Sequence, residues 1–599
     1  MTEKFRKKRK VAIWITCIAL GVVAVLMVAS KYAGHKFKPL IKEQIKALVL
    51  STTDSLYHIE FSSLKINMLT ANASLNDVRV VPDTQVYRRL IERKKAPNNI
   101  YYIELQKMRI RNFHLFRFLK TRKLNINELI LDQPKVTMVN RQFAYNENKS
   151  AQPKESPYNL ISAYLKEFRI RTINFNDVSF KYINHNHVLP DADSVSNLNV
   201  TLKDYLIDST SAQDKSRLYL LKDIVLKLKE YTFATPDSLY HVSLDQLDFS
   251  ASSGKLNINS FNVIPRYDEM KFGTMPGAKN NRYHIRMSNI SLDGIDLTAY
   301  ILKQQLLARE MNVANGFIDV FSNAELSRRT EDRTGRFPQQ LLQRAAKQIS
   351  IDKINLNNVG IGYSVYHAES KQKGTITFEN TFGTITNVTN AEKFKNRNPL
   401  MVANLTSYVM GRGKLDVNFK FDLKAKDGAF SYSGALHEMD GKALNRITRP
   451  LGMLEIRSGA VEKLNFNVVA NDREAKGRLW FKYKDLSVSL LKKEDGESRL
   501  VKQGWMSFLA NAMVLNASNP DETGKFVTAD LQLERAPTMS FFSFVWKTLL
   551  QGIRHSVGVT VEKEQQIKTQ IARFKEIKAS REERQRRRER RRAAKERIK

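Results

Sequence analysis

Residues 54–82 read DSLYHIEFSSLKINMLTANASLNDVRVVP, and residues 237–265 read DSLYHVSLDQLDFSASSGKLNINSFNVIP. The two stretches align without a gap. Apolar residues fall on apolar residues in this alignment: Leu64 on Leu247, Ile66 on Phe249, Leu75 on Ile258 and Val78 on Phe261. Much of each stretch alternates between apolar and polar residues, which indicates β-strands with one buried face. The pair therefore predicts one β-rich unit that occurs twice.

The similarity continues beyond these stretches, with a one-residue shift in each of two polar segments. Five apolar residues of the first copy align with five of the second: Ile103, Leu105, Met108, Ile110 and Leu115 with Ile285, Met287, Ile290, Leu292 and Leu297. Further on, PYNLISAYLKEFRIRTINFNDVSFKY at 157–182 aligns with PQQLLQRAAKQISIDKINLNNVGIGY at 338–363. Length changes in surface loops cost little free energy. We therefore predict two copies, at 54–182 and 237–363, a repetition typical of stacked or extended architectures.

Alternation with a period of two runs through most of residues 55–535, as in KLDVNFKFDL at 414–423. This pattern is typical of antiparallel strands with one buried face, and Asp427-Gly428 predicts a turn between two of them. Short helices are expected at Leu115–Leu119 and Leu297–Leu302, and after Pro157 and Pro338. The alternation fits both closed β-sandwiches and one long sheet curled into a gutter with a partly open apolar face.

The chain is strongly basic, with a net charge of +37 over 599 residues. The first ten residues contribute +5 and residues 573–599 contribute +9. Such a balance favours anionic partners: phospholipid head groups, other anionic lipids or glycans, or nucleic acid. Cys17 is the sole cysteine, so a scaffold held by intrachain disulfides is excluded.

An uncharged segment follows the basic N-terminus at Val11–Ala29. As a helix it would span roughly 28 Å, which is enough for the hydrocarbon core of a bilayer. A cleaved signal peptide is the alternative, but its apolar region is usually shorter, and no small-x-small site follows this one. The basic flank places the N-terminus in the cytoplasm. The rest of the chain would then lie outside the cytoplasm, which disfavours nucleic acid as a partner.

Residues 541–553 form an apolar stretch that is too short to span a bilayer. On a helix, Ser543, Lys547 and Gln551 or Arg554 would line one polar side. The apolar residues of the other side are the membrane-interface candidates: Phe542, Val545, Trp546, Leu549 and Ile553. The alternative is a helix that caps the end of the sheet. The tail at 562–599 contains RQRRRERRR and suits an anionic membrane surface.

No convincing catalytic or metal-binding group is found in the sequence. Gly411-Arg-Gly-Lys414 lacks the spacing of a phosphate-binding loop. His185 and His187 lie in a polar loop without further ligands nearby, and His58 and His241 are interpreted as packing or edge residues. We therefore predict a protein that is not an enzyme, with no catalytic residues, no cofactor and no metal site.

Several stretches together resemble the AsmA-like family of Gram-negative envelope proteins. They are the opening unit SLYHIEFSSLKINMLTANASLNDVRVVP at 55–82, GRGKLDVNFKFDLKAKDGAFSYSGAL at 411–436 and LNRITRPLGMLEIRSGAVEKLNFNVV at 444–469. The ending SFFSFVWKTLLQGI at 540–553 resembles members from the Bacteroidota. The resemblance implies an inner-membrane anchor and a periplasmic body similar to bridge-like lipid-transfer proteins built from repeating β-groove units. It also implies movement of phospholipid between the inner and outer membranes, or support of outer-membrane assembly.

With this resemblance, the fold class is predicted as mainly β: an elongated, curled antiparallel sheet, or β-groove, made of tandem repeat units with short helices. The predicted fold also includes one N-terminal transmembrane helix and a C-terminal amphipathic and basic helix. The groove would be lined by eight apolar residues: Leu64, Ile66, Leu75, Val78, Leu247, Phe249, Ile258 and Phe261. The expected partners are phospholipids, the inner membrane and, at the C-terminal end, the outer membrane or one of its proteins. An anchored scaffolding protein without lipid conduction is the alternative.

The predicted division of the chain follows these features. It comprises a cytoplasmic basic segment at 1–10, a single-pass anchor at 11–30, a juxtamembrane helix at 31–53, groove repeats at 54–236 and 237–402, a β-rich region at 403–536, an amphipathic helix at 537–560 and a basic tail at 561–599.

Overall fold

The structure is a computed structural model. It describes residues 53–67, 69–146, 157–162, 165–186, 191–214, 216–276, 281–326, 332–493, 500–502 and 516–559, with individual residues at 43–51, 569 and 580. Of the described residues, 57% lie in strands and 17% in helices, and most strand pairs are antiparallel. The prediction of a mainly β chain with antiparallel strands is thus confirmed. The predicted anchor at 11–30 lies outside the described residues, and no helix within them is long and apolar enough to cross a membrane.

The first copy and the strands that follow it contain nine strands and three helices among the described residues. They are β1 (Tyr57–Glu60), β2 (Ser63–Asn67), β3 (Asn72–Pro82), α1 (Thr84–Glu92), β4 (Asn99–Phe113), α2 (Leu115–Thr121), β5 (Lys123–Asp132), β6 (Lys135–Asn140), a 3₁₀ turn (Ala144–Asn146), α3 (Pro157–Ile161), β7 (Glu167–Asn184), β8 (Asp191–Ile207) and β9 (Asp223–Ala234). The helices predicted at Leu115 and after Pro157 are therefore present.

The second copy has a similar order of elements. They are β10 (Tyr240–Ser250), β11 (Lys255–Pro265), α4 (Glu269–Phe272), β12 (Asn281–Asp293), α5 (Leu297–Lys303), β13 (Gln305–Asn323), α6 (Pro338–Gln343), β14 (Gln348–Tyr366), β15 (Lys373–Thr389) and α7 (Glu392–Lys395). The single strands β10 and β13 lie where the first copy has β1 with β2 and β5 with β6. The helices predicted at Leu297 and after Pro338 are confirmed.

The C-terminal part contains eight described strands and two helices. They are β16 (Leu400–Val409), β17 (Gly413–Asp422), β18 (Phe430–Leu436), β19 (Met439–Asp440), a 3₁₀ turn (Gly441–Leu444), α8 (Asn445–Gly452), β20 (Leu454–Ala470), β21 (Glu474–Lys493), β22 (Leu500–Lys502), β23 (Thr528–Glu534) and α9 (Phe541–Ser556). Gly428 has a φ of 68° between the paired strands β17 and β18, so the turn predicted at Asp427-Gly428 is confirmed.

Aligned positions of the two copies share unusual backbone conformations. Left-handed residues occur in matching pairs: Ala71 and Gly254, Asn112 and Gly294, Arg122 and Gln304, Asp177 and Asn358, Asn197 and Asn380, and Asp204 and Asn387. The pairing of β7 with β8 is interrupted on both sides of Val178, and the pairing of β14 with β15 is interrupted on both sides of the aligned Val359. The last two pairs lie in β8 and β15, so the repetition extends beyond residue 182.

The tyrosine of each DSLYH stretch makes the same hydrogen bond. The Tyr57 hydroxyl accepts the backbone N–H of Tyr101 at 3.1 Å, and the Tyr240 hydroxyl accepts that of Tyr283 at 3.3 Å. Each bond ties the start of a copy to a strand more than forty residues later. Burial raises the pKa of both tyrosines, which keeps each hydroxyl protonated. The repeated motif therefore has a structural role in each copy.

The chain divides into two compact units. The N-terminal unit comprises residues 1–233, 243–261 and 291–308, and the C-terminal unit comprises residues 234–242, 262–290 and 309–599. In the N-terminal unit, β3 pairs with β1, β2 and β4, while β4 also pairs with β5 and β6. Strands β5 and β6 pair in parallel with β7. A parallel pairing requires a crossover connection, and the segment containing α3 supplies it.

In the C-terminal unit, antiparallel pairs link β14, β15, β16, β17, β18, β20, β21 and β23 in that order. The short strand β19 pairs with β20, and β22 pairs with β21. Neighbours along the chain are therefore mostly neighbours in the sheet, as the alternation of apolar and polar residues predicted.

Each unit has its own apolar core. In the N-terminal unit the core includes Leu75, Ile126 and Phe168, which are at most 1% exposed. The core of the C-terminal unit includes Phe337 and Phe544, which are fully buried and stack with ring centroids 6.1 Å apart.

Candidate functional site

The four groove candidates of the first copy lie on β2 and β3. Leu75 and Val78 are 1% and 3% exposed and belong to the core of the N-terminal unit. Leu64 and Ile66 are half-buried and pack against that core. Leu64 pairs with Leu75 across the two strands, so the structure brings these residues together on one face. In the first copy this face is closed.

The aligned residues of the second copy are less buried. Phe249 on β10 is 7% exposed, whereas Leu247, Ile258 and Phe261 are half-buried. We call Leu247, Ile258 and Phe261 the second-copy apolar set. Ile258 and Phe261 occupy the positions of the buried Leu75 and Val78, so these two positions are more exposed in the second copy. The other two pairs do not share this difference, since Leu64 and Leu247 are both half-buried and Phe249 is more buried than Ile66.

The difference extends to later strands of the second copy. Leu105, Leu129 and Ile173 are buried in the first copy. Their aligned residues Met287, Met311 and Ile354 are each half-buried. Large apolar side chains that stay half-exposed on a strand are available to contact an apolar ligand or partner.

The structure shows what covers the first copy. Ile45 and Val49, in helical residues before β1, are 2% and 4% exposed within the core of the N-terminal unit. Val86, Tyr87 and Leu90 of α1 also pack against this core. The positions 183 residues after Ile45 and Val49 lie in strand β9, and α4 is only four residues long. The second copy therefore lacks a counterpart of the helical residues at Ile45 and Val49. In place of α1 it has the short α4, whose Phe272 is buried against Leu239 and Tyr240.

The five membrane-interface candidates lie on α9 and face the C-terminal unit in two groups. Phe542 and Trp546 pack against one small core, where the Phe542 ring lies 4.8 Å from that of Tyr363. Val545, Leu549 and Ile553 pack against the main core of the unit. All five are half-buried, and the polar residues Lys547 and Gln551 are exposed. This is the capping arrangement considered above, and contact of α9 with a membrane stays a prediction.

The buried face of α9 is made by Phe544, Thr548, Gly552 and Ser556, which recur every four residues. A Cβ atom at Gly552 would lie 2.5 Å from a methyl carbon of Leu531, so glycine permits the close approach of helix and strand. On the predicted polar side, Lys547 and Gln551 are exposed and Ser543 is half-buried. Helical spacing did not predict the buried face, because its small and polar residues give no apolar stripe.

A buried ion pair lies beneath the start of α9. Arg535 donates to the Asp472 carboxylate at 3.2 Å, and the two side chains are 1% and 8% exposed. The same carboxylate accepts the Gly335 N–H at 3.0 Å and the Gln340 side-chain N–H at 2.6 Å. Burial lowers the pKa of Arg535, while Asp472 opposes this shift. Asp472 and Arg535 thus hold the segment that begins α6, through Gly335 and Gln340. No sequence pattern predicts contacts between residues so far apart in the chain.

The histidines have different surroundings. His58 Nε2 lies 3.0 Å from Asp83, the N-cap residue of α1. The position aligned with Asp83 is Arg266, so His241 has no such carboxylate in its copy. Sequence analysis missed the His58–Asp83 pair because the two residues are 25 positions apart. Among the described residues, no group of three or more histidine, cysteine or acidic side chains is placed to hold a metal ion.

No family model matches the chain, and no curated protein matches it.

Proposed function

We propose that this protein is anchored in the inner membrane and binds the acyl chains of phospholipids on the apolar faces of its strands, conducting them between the inner and outer membranes. The resemblance of 55–82 and 411–436 to the AsmA-like family motivates this proposal. Under it, the strands curl into a β-groove, and most of the chain lies in the periplasm.

The observation that best supports the proposal is the exposure of the second-copy apolar set. Ile258 and Phe261 are half-buried although the aligned Leu75 and Val78 are core residues. Contact with a lipid would remove their remaining apolar surface from water. Each methylene group buried in this way contributes about 0.8 kcal/mol. An acyl chain would therefore be held by many weak contacts, and it could slide because no single contact fixes it.

Photo-crosslinking tests where lipid contacts the chain. A photoreactive phenylalanine analogue is placed in the full-length protein at Ile258 or Phe261, and lipid adducts are identified by mass spectrometry after irradiation of intact cells. Asn257, an exposed neighbour on the same strand, is the control position. We expect phospholipid adducts at 258 and 261 and few at 257. Equal yields at all three positions, or none at 258 and 261, would contradict the proposal.

A double substitution tests whether lipid passage depends on this face. Ile258→Asp with Phe261→Asp places two carboxylates among half-buried apolar residues, where acyl chains would have to desolvate them. We expect a folded protein that has lost phospholipid transfer between donor and acceptor vesicles. A folded double variant that transfers lipid at the wild-type rate would refute the assignment of the groove.

The closed core of the first copy favours a second candidate function. Leu75, Val78 and Phe168 are buried as in an ordinary β domain, and such a domain can serve as a scaffold for other envelope proteins. This candidate predicts that the full-length protein, extracted gently, retains proteins rather than stoichiometric phospholipid.

A further inference from the structure

The helix α1 and the turn after it present a cluster of cations. Five basic side chains are exposed there: Arg88, Arg89, Arg93, Lys94 and Lys95. We call these five residues the α1 basic face. Glu92 is the one acidic residue between positions 84 and 95. In the described part of the chain, none of the five cations forms an ion pair with a neighbouring carboxylate.

The opposite side of α1 is fixed to the protein. Val86, Tyr87 and Leu90 pack against the core of the N-terminal unit, and the Asp83 side chain caps the helix by accepting the N–H groups of Gln85 and Val86. The helix therefore holds its cations in a fixed orientation, away from the core. A fixed cluster binds an anionic surface with less loss of conformational entropy than a flexible basic tail would incur.

Backbone hydrogen bonds place this helix beside the segment that comes from the predicted anchor. The Ser55 N–H donates to the Leu50 carbonyl at 2.8 Å, at the end of the helical residues that contain Ile45 and Val49. The Asp83 N–H donates to the Leu56 carbonyl at 2.7 Å, immediately before α1 begins. The predicted juxtamembrane helix separates the predicted anchor, which ends at residue 30, from these contacts, and its 19 residues before Leu50 would span roughly 28 Å.

The corresponding region of the second copy lacks this charge. Between Pro265 and Pro276, Arg266 and Lys271 are balanced by Asp268 and Glu269. The basic face is thus confined to the copy that follows the predicted anchor. A general need for solubility would not distinguish the two copies in this way.

We propose that the α1 basic face lies on the anionic phospholipid head groups of the membrane that holds the anchor. This inference rests on the anchor in the proposed function, but it does not require lipid conduction. Each lysine or arginine near an anionic bilayer adds about 1 kcal/mol of attraction, which corresponds to about a fivefold gain in surface association. The contact would orient the first copy on the bilayer, with its strands beginning at the head groups.

Fluorescence quenching in nanodiscs tests the contact with the full-length protein. Cys17→Ser removes the native thiol, and Lys95→Cys then accepts a small fluorophore at the end of the α1 basic face, which keeps its other four cations. Two kinds of disc are compared: one of phosphatidylcholine alone, and one that also contains about one-third phosphatidylglycerol. Both carry a head-group spin label that quenches the fluorophore at short range. We expect at least about threefold stronger quenching in the anionic discs, and a loss of this gain near 1 M salt, where the screening length is about 3 Å.

Two further proteins serve as controls. Thr274→Cys places the fluorophore after α4 in the second copy, where no dependence on anionic lipid is expected. Replacing Arg88, Arg89 and Arg93 by Gln should abolish the gain at Lys95→Cys, and an unchanged circular dichroism spectrum will show that this variant is folded. Equal quenching in both kinds of disc, or quenching that the Gln substitutions leave unaltered, would overturn the proposal.

The outcome is separable from that of the lipid-transfer assays. Loss of the quenching gain together with crosslinks at Ile258 would leave lipid binding in place and refute the membrane contact alone. If crosslinking failed but the quenching gain were intact, the membrane contact of the α1 basic face would stand and lipid binding by the second-copy apolar set would be refuted. If the α1 basic face bound an acidic protein and not the bilayer, the quenching gain in anionic discs would be absent.

Discussion

The first and second copies of the repeated unit share their local backbone geometry but differ in the burial of their apolar residues. Both have a left-handed residue at the position of Arg122 and Gln304, and both have irregular pairing around Val178 and Val359. Yet Leu75 is 1% exposed, whereas the aligned Ile258 is half-buried. The strand pattern is therefore determined locally, and closure of the face depends on the neighbouring segments.

The neighbouring segments explain the contrast. Helical residues around Ile45 and Val49 contribute to the core of the first copy, and the nine-residue helix α1 packs beside them. The second copy is preceded by strand β9, and the helix at the position of α1 is the four-residue α4. Duplication of a unit in the interior of a chain thus leaves the second copy without the terminal cap of the first.

The largest effect is expected from Arg535, whose ion pair fixes the start of α6. Arg535→Met removes the partner of the buried Asp472, so the carboxylate keeps two N–H donors but loses its cation. Removing one member of a buried pair typically costs about 3–5 kcal/mol. We expect a decrease of this size in the free energy of unfolding of the C-terminal unit, measured by denaturant titration.

Arg473 provides the matched control. It neighbours Asp472 but is exposed, so Arg473→Met should change the free energy of unfolding by less than about 0.5 kcal/mol. Similar effects of the two substitutions would show that the buried pair does not fasten α6 to the C-terminal unit.

The next prediction compares the copies directly. Leu75→Ala removes a side chain from a closed core and should destabilise the N-terminal unit by about 2–5 kcal/mol. Ile258→Ala shortens a half-buried side chain at the aligned position, and the cost should be about 1 kcal/mol. Both residues lie in the N-terminal unit, so a single unfolding transition reports both. Equal costs would mean that the second copy is as closed as the first.

This contrast also shows what the sequence could predict. The alternation around KLDVNFKFDL and the glycine at position 428 predicted strands and a turn correctly, because both depend on neighbouring residues. The same alternation placed Leu75 and Ile258 in equivalent roles, since period two identifies a face without showing what covers it. Ile45 and Val49 cover that face in the first copy, and the sequence gives no local sign of this contact.

The C-terminal helix is a second example. The polar side at Lys547 and Gln551 was predicted from helical spacing. The five apolar candidates beside it suit a membrane and a sheet equally well, because an amphipathic stripe has the same composition for either partner. Packing of Trp546 against the small core containing Ile447 is a tertiary contact, so it could not be read from residues 541–553 alone.

A smaller effect is expected when the cap of the first copy is weakened. Val49→Ala removes two methyl groups from a residue that is 4% exposed, and we expect a loss of about 1–2 kcal/mol. The first copy should then resemble the second, with faster amide hydrogen exchange in β1 to β3. Thr232, found 183 residues later, is exposed, so Thr232→Ala is the control. Unchanged exchange in Val49→Ala would mean that other residues close the first copy.

The smallest effect concerns the charge at the start of α1, where the aligned residues of the two copies, Asp83 and Arg266, carry opposite charges. The N–H of Val86 and the nearby His58 hold the pKa of Asp83 below the ordinary value of 3.8. A carboxyl group whose pKa is lower in the folded state stabilises that state above 3.8, and the contribution is lost as the pH falls below this value. Asp83→Asn keeps a hydrogen-bond acceptor but does not titrate. The variant should therefore have a lower free energy of unfolding than the wild type at about pH 5, and this difference should shrink as the pH falls to about 2.

Arg266 in the second copy makes this prediction specific. Its side chain donates to the Ser238 carbonyl at 3.2 Å, and this hydrogen bond involves no carboxyl group, so any deficit of Arg266→Gln in the free energy of unfolding should be independent of pH between about 2 and about 5. Denaturant titrations of the three proteins at matched pH values provide the comparison. If the deficit of Asp83→Asn in the free energy of unfolding were the same at about pH 2 as at about pH 5, the carboxylate charge would not stabilise the first copy, and the difference between the copies at this position would be one of hydrogen bonding alone.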